Sequence, residues 1–140
     1  MIRIRATVLA EIRDAARATY PEECCGILLG RAGENGERRV ARALAMVNDS
    51  EENRARRYLI DGDDVRNAER SAAHEGLEVV GFYHSHPDHP AEPSRFDLEH
   101  SWPWYVYLIV PVRAAEPGSP RAWLLADDRS RFDPADVLEE

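Results

Sequence analysis

The chain contains no lysine: all 18 of its basic residues are arginine, set against 26 acidic ones. The resulting net charge of −8 argues against duplex nucleic acid or an anionic membrane as a partner, because both attract basic surfaces. A positively charged partner surface suits it better. A GC-rich coding bias accounts for arginine in place of lysine, although the absence would also suit a protein living beside chemistry that modifies lysine amines. Cysteine is nearly absent too. The only two, Cys24 and Cys25, are adjacent, which excludes a CxxC zinc or redox site and disfavours a disulfide between them. That usage fits a reducing cytosol. No apolar run approaches membrane-spanning length, and the charged N-terminal stretch does not read as a signal peptide. The expectation is a soluble, cytoplasmic protein. Internal repeats, low-complexity tracts and linkers are lacking, so residues 1–140 read as a single domain.

What is present is a mixture of helical and strand patterns. Residues 2–5 alternate, and a helix follows over 7–20, with Val8, Ile12, Ala15 and Ala16 on one face, Thr7 as N-cap and Pro21 beyond its end. "CCGILLG" reads as a buried strand and "RAGENGERR" as a turn into "RVARALAMVN". After a polar loop, "RYLI" (57–60) reads as a short strand. Acidic residues then open a helix from 61 that closes at Gly76. "LEVVGFYHSH" is a second buried strand, "PDHPAEP" a rigid loop, "SRFDLEHSW" a short helix and "YVYLIV" a central strand. "RAWLLADD" continues the pattern, and 129–140 is either a last strand or a loose tail. The fold class is α/β (mixed α+β), one curved mixed sheet flanked by helices.

Four of the five histidines fall between residues 84 and 100. His84 and His86 lie two apart on a predicted strand, so their imidazoles leave the same face, while Ser85 faces away. Pro87 holds them at the strand's mouth. In "PSRFD", Ser94 is placed as an N-cap with Asp97 at N3, as in a capping box. Two imidazoles and a carboxylate, with further positions open, are the ligand set of a catalytic zinc, and iron(II) accepts the same set. His89 reads as a solvated loop residue and Glu92 as facing solvent. His100, one turn beyond Asp97, could orient that carboxylate or simply lie on the surface. Cys24 and Cys25 read as small apolar residues. Trp102 and Trp104, flanking Pro103, either cover the core or line a substrate groove.

The HSHP motif, with seven residues between His86 and Ser94 and then SxxD, resembles the signature of the JAMM, or MPN-plus, metallopeptidases at His84, Ser85, His86, Ser94 and Asp97. "YPEECCGILLG" resembles the PxExCG segment of bacterial members, which aligns Glu23, not Glu22, with the catalytic glutamate. "NDSEENRARRYLID", "VVGFYHSHP" and "SWPWYVYLIV" extend the resemblance over nearly the whole chain.

The resemblance implies a JAB-type fold with one zinc, held by His84, His86 and Asp97, and no covalent intermediate. Glu23 would relay the proton of the attacking water to the leaving amine, and Ser94 would donate to the oxyanion. Ser94 is also wanted as a cap. Ser85, His100 and Trp102 are the further candidates for support of the site or a substrate groove. Small bacterial members resemble peptidases of ubiquitin-like sulfur-carrier proteins ending in Gly-Gly, a tail that could add as a strand to a sheet edge along residues 77–86. The rival reading is a non-catalytic MPN scaffold. A nucleoside deaminase is disfavoured because it requires a PCxxC pair, and a DNA-repair relative because of the acidic charge.

Overall fold

The computed structural model describes residues 1–140. Strand β1 (Ile2–Ile4) leads into helix α1 (Ala6–Thr19). Strands β2 (Cys25–Ala32) and β3 (Arg38–Met46) form a hairpin, and a long loop connects them to helix α2 (Gly62–His74). Then come β4 (Glu78–Pro87), α3 (Arg95–His100), β5 (Val106–Arg113), β6 (Glu116–Pro117), β7 (Arg121–Leu125), β8 (Phe132–Ala135) and β9 (Val137–Glu139). The strands form one mixed sheet in the order β8-β7-β5-β4-β2-β3-β1-β9, with β6 paired to β5. Strands β4 and β5 run parallel, joined by the crossover that contains α3.

Each face of the sheet is covered by one long helix. Helix α1 places Val8, Leu9, Ile12 and Ala16 against Leu28, Val80, Leu108 and Val110. Helix α2 places Ala68 and Ala72 against Ile27, Leu29, Val79, Phe82 and Tyr107. Alternation along β2 accounts for Leu28 facing one helix while Ile27 and Leu29 face the other. Along β4 the alternation is interrupted. Leu28 pairs with Gly81 but the next residue, Leu29, pairs with Val79, so β4 carries one extra residue, Val80, as a bulge. Val79 and Phe82 therefore share the α2 face, and the residues at even spacing beyond Phe82, His84 and His86, follow it. Tyr83 goes to the α1 side, where its ring covers Gly26 so closely that a Cβ there would lie 2.1 Å from it.

Several expectations are corrected. The N-cap of α1 is Arg5, with no side-chain cap, and Thr7 lies inside the helix. The Ala6 N–H is satisfied instead by the Glu140 carbonyl at 2.7 Å. The segment 57–60 forms no strand: apart from the Asp49 N–H, which donates to the Leu59 carbonyl (2.9 Å), its inner edge is occupied by a side chain. Leu59 N–H donates to Asn48 Oδ1 (3.2 Å) and the Arg57 carbonyl accepts from Asn48 Nδ2 (2.9 Å). Of the two readings left open for residues 129–140, the strand is the one found: β8 pairs antiparallel with β7, and β9 pairs parallel with β1. No helix is long and apolar enough to cross a membrane.

Candidate metal centre

Three elements meet at the C-terminal end of β4. His84 and His86 come from the strand, Glu23 from the turn entering β2, and Asp97 from the first turn of α3; all four are buried. His84 Nε2 and His86 Nε2 are 3.1 Å apart, and Asp97 Oδ2 is 3.2 Å from the first and 3.3 Å from the second. A tetrahedral ion with nitrogen and oxygen ligands at about 2.0–2.1 Å requires ligand–ligand edges of roughly 3.3 Å. The triangle fits that requirement. Glu23 with the two histidines also forms a group whose ligand atoms lie within 4.8 Å of one another, so four potential donors surround one point.

The electrostatics separate the two carboxylates. Burial alone would raise Asp97. The charge of His84, hydrogen bonds from His84 and His86, and the Ser94 N–H together hold it well below the usual carboxylate range. It therefore stays ionised, as a ligand must. Glu23 moves the other way, pushed up to about 9 by burial and then by the Asp97 charge, against a smaller lowering from Arg56. Both its oxygens are buried without a hydrogen-bond partner. Carboxylates whose environments drive them apart in this way are suited to different tasks, one to hold charge and one to carry a proton. Burial lowers His86, which favours the neutral imidazole that metals bind. Its Nδ1 lies 2.7 Å from the Pro90 carbonyl, which accepts an Nδ1 proton; with a cation at the centre, the neutral ring would turn its Nε2 lone pair to the ion in place of the Nε2 contact with Asp97.

The surrounding groups fix these side chains. Ser94 and Asp97 form a capping box: Asp97 N–H donates to Ser94 Oγ (3.0 Å) and Ser94 N–H donates to Asp97 Oδ2 (2.9 Å). The cap uses a lone pair of the Ser94 hydroxyl and leaves its proton free, so capping and donation to an oxyanion are compatible. Ser85 points to the opposite face and accepts the Cys24 N–H at 2.8 Å, bracing the residue next to Glu23. His100 does not reach Asp97; its Nδ1 lies 2.9 Å from the Phe96 carbonyl and its ring stacks on Phe96. Trp102 is 63% exposed, with Arg129 over its ring. His100 and Trp102 line an open cleft of about 770 Å³ with Tyr58, Ile60, Phe82 and Tyr107. Cys24 and Cys25 are buried free thiols, both raised, Cys25 to about 12, which leaves neither as a nucleophile.

Three neighbours are not legible from the motifs. Tyr58 stacks on His84 with ring centroids 4.3 Å apart, and His89 stacks on His86 at 4.0 Å. His89 is thus half-buried against the site and not a solvated loop residue. Asn48 uses its whole amide: besides Leu59 and Arg57, it donates to the Glu23 carbonyl (3.3 Å) and accepts from Ser50 N–H (3.0 Å). Next to the histidines the sheet offers no edge, since residues 81–84 of β4 are paired with β2 on one side and β5 on the other. The free edge beside the centre belongs to residues 57–60, where no hydrogen bond within the chain uses the backbone of Tyr58 or Ile60.

Known proteins share this arrangement of chain. Residues 5–126 match the family described as prokaryotic homologs of the JAB domain. A desampylase of Haloferax volcanii is 38% identical over 106 residues, which are 75% of this chain and 73% of the relative. A CysO-cysteine peptidase of Mycobacterium tuberculosis is 29% identical over 138 residues, 98% of this chain and 91% of the relative. Among solution structures, a Salinibacter ruber protein superposes with a TM-score of 0.75 at 45% identity, covering 99% of this chain and 91% of that one. A Desulfitobacterium hafniense protein gives a TM-score of 0.85 at 28% identity, covering 100% and 93%. Because the matched span contains β2, β4 and α3, and with them every residue that converges on the centre, the chain belongs to the prokaryotic JAB family of hydrolases.

Proposed function

We propose that the protein is a zinc-dependent peptidase that hydrolyses the bond after the C-terminal Gly-Gly of a ubiquitin-like sulfur-carrier protein or its conjugate. The observation that carries this reading is the convergence of His84, His86 and Asp97 on one point, faced by a buried, unpartnered Glu23. A non-catalytic scaffold of the same fold would have no use for so costly a carboxylate. Relatives named as a desampylase and a CysO-cysteine peptidase support the substrate class.

His84, His86 and Asp97 would hold the ion, and two imidazole nitrogens with one carboxylate suit zinc. When bound, zinc supplies Lewis acidity, lowering the pKa of water and polarising the scissile carbonyl. Glu23 takes the proton from the attacking water and passes it to the amine nitrogen as the C–N bond breaks. A cation held by His84, His86 and Asp97 would favour the ionised form of Glu23, the form able to accept that proton. The Ser94 O–H donates to the carbonyl oxygen as charge develops there. His86 is kept in the correct tautomer by Pro90, and Tyr58 shields the face of His84 from water.

The open backbone of Tyr58 and Ile60 can pair with an extended tail, and glycines allow that tail to approach closely because they carry no side chain. The cleft beyond Ile60 would take the residues before the glycines. The test is intact-mass spectrometry of a Gly-Gly carrier extended by one residue, incubated with zinc-loaded parent and with Glu23→Gln. Loss of the added residue only with the parent is the expected result. An unchanged mass across several extensions and carriers, despite bound zinc, would favour the scaffold.

A further inference from the structure

The segment that follows β3 is fastened across the site at three places. The Arg54 carbonyl accepts the Glu23 N–H at 2.8 Å, the Arg57 guanidinium lies 4.7 Å over the Phe96 ring of α3, and Tyr58 stacks on His84. Arg56 sits between these attachments, in a turn closed by its own N–H on the Asn53 carbonyl (2.9 Å). Its side chain is exposed, and no ion pair, hydrogen bond or aromatic contact engages it, whereas eight other arginines (3, 17, 39, 42, 66, 95, 121 and 131) are ion-paired. Arg56 is thus a cation free to engage a ligand on the segment that crosses the buried site. Its charge reaches inward, acting on both Glu23 and His89.

The direction of the substrate gives this cation a place. A tail paired with the Tyr58–Ile60 edge enters from the cleft at Ile60 and meets the centre beside Tyr58. The residue beyond the scissile bond then lies past Tyr58, on the side where the chain continues back to Arg56. A single terminal amino acid carries a free α-carboxylate at that position. A lysine side chain of an isopeptide-linked protein carries none.

We propose that Arg56 is a specificity residue that binds the α-carboxylate of the residue leaving after the second glycine. The site therefore favours removal of a terminal amino acid over cleavage of an isopeptide-linked protein. Hydrolysis adds water across the bond, with oxygen to the glycine carbonyl carbon and a proton to the amine, so the carboxylate held by Arg56 passes unchanged into the released amino acid. This inference rests on the peptidase reading above.

The test compares carriers ending in Gly-Gly-Xaa as the free acid and as the C-terminal amide. Affinity is measured on Glu23→Gln, with and without Arg56→Gln, and kcat/KM on the parent and the single Arg56 variants. The acid is expected to bind and to react about tenfold better than the amide, the size of one charge-assisted contact. Arg56→Gln brings the acid down to the level of the amide, Arg56→Lys restores part of the difference, and added salt shrinks it. Equal losses on acid and amide would overturn the proposal and leave Arg56 as a tuning charge for Glu23. A parent that treats the two alike, or prefers an isopeptide, overturns it while the peptidase reading stands. A parent that cleaves and binds none of the three overturns both.

Discussion

At the level of single residues, the two carboxylates make opposite demands on the fold. Glu23 is 2% exposed and held near a pKa of about 9 against an ordinary 4.5. Its folded state keeps a proton that the unfolded chain gives up above pH 4.5. Stability contributed by that proton is complete below the unfolded value and is lost as pH rises through the folded one. Protein stripped of metal by a chelator should therefore weaken steadily between pH 5 and pH 9. Glu23→Gln has no proton to lose, so its urea or thermal melt should match the parent near pH 5. By pH 8 it should exceed the parent by on the order of 1–3 kcal/mol. Parallel pH profiles for the two proteins would mean that the Glu23 carboxylate is solvated. Asp97 separates along another axis. Asp97→Asn keeps an oxygen to accept the Ser94 N–H but loses the charge that a metal ligand supplies, so zinc affinity should fall by about 100-fold or more while the melt moves by less than about 1 kcal/mol. A competition titration with a zinc dye reads the first quantity. Retained affinity would leave Asp97 as a helix cap only. The spacing of His84 and His86 and the Ser94–Asp97 capping pattern are legible in the sequence because they are local. Tyr58, Asn48 and Arg56 are not, since each reaches the site only after a loop of some fifteen residues has folded back onto β2, β4 and α3.

Strand β4 is aimed by its bulge and by Gly81. A Cβ at Gly81 would lie 2.1 Å from the Val106 carbonyl oxygen, and that oxygen belongs to the first residue of β5, paired directly with Gly81. Backbone cannot swing aside as a side chain would. Gly81→Ala should force β4 and β5 apart three residues before His84, costing about 2–3 kcal/mol in a chemical melt and weakening metal binding along with it. A fall in stability with unchanged zinc affinity would show that the ends of the two strands move independently of their middle. The sequence marks both histidines as sharing a face through their spacing of two. It does not say which face, because the extra residue at Val80 inverts the alternation and only the pairing with β2 reveals it. The "RYLI" segment fails for a related reason. Its residue types suit a strand, but a strand is defined by its partner, and here the partner on the inner edge is the amide of Asn48.

Across the whole molecule, the sheet is completed by residues that lie beyond the matched span of 5–126. Strand β9 runs parallel to β1 and covers its outer edge: Ile2 N–H donates to the Asp136 carbonyl (2.7 Å) and Glu140 N–H donates to the Ile4 carbonyl (2.8 Å). The Glu140 carbonyl also caps the first N–H of α1, its side chain pairs with Arg3 at 2.7 Å, and Val137 packs on the main core. Removing residues 136–140 would leave β1 as an exposed edge carrying the fully buried Ile2 and Ile4, an arrangement prone to pairing with other chains. These three backbone hydrogen bonds at about 1 kcal/mol each, lost together with the β1–β9 ladder, set the loss at about 3 kcal/mol or more, or at least roughly 6–12 °C in Tm for a domain of this size. The truncated protein should also aggregate sooner on heating. Zinc affinity should stay within about twofold of the parent, because β1 and β3 separate β9 from β2 and additivity holds for sites that share no contacts. Differential scanning fluorimetry with a parallel zinc titration distinguishes the two effects. A truncation that lowers Tm and zinc affinity together would mean that the N-terminal strand and α1 hold the metal site in register, and that stability and binding are one property of the sheet.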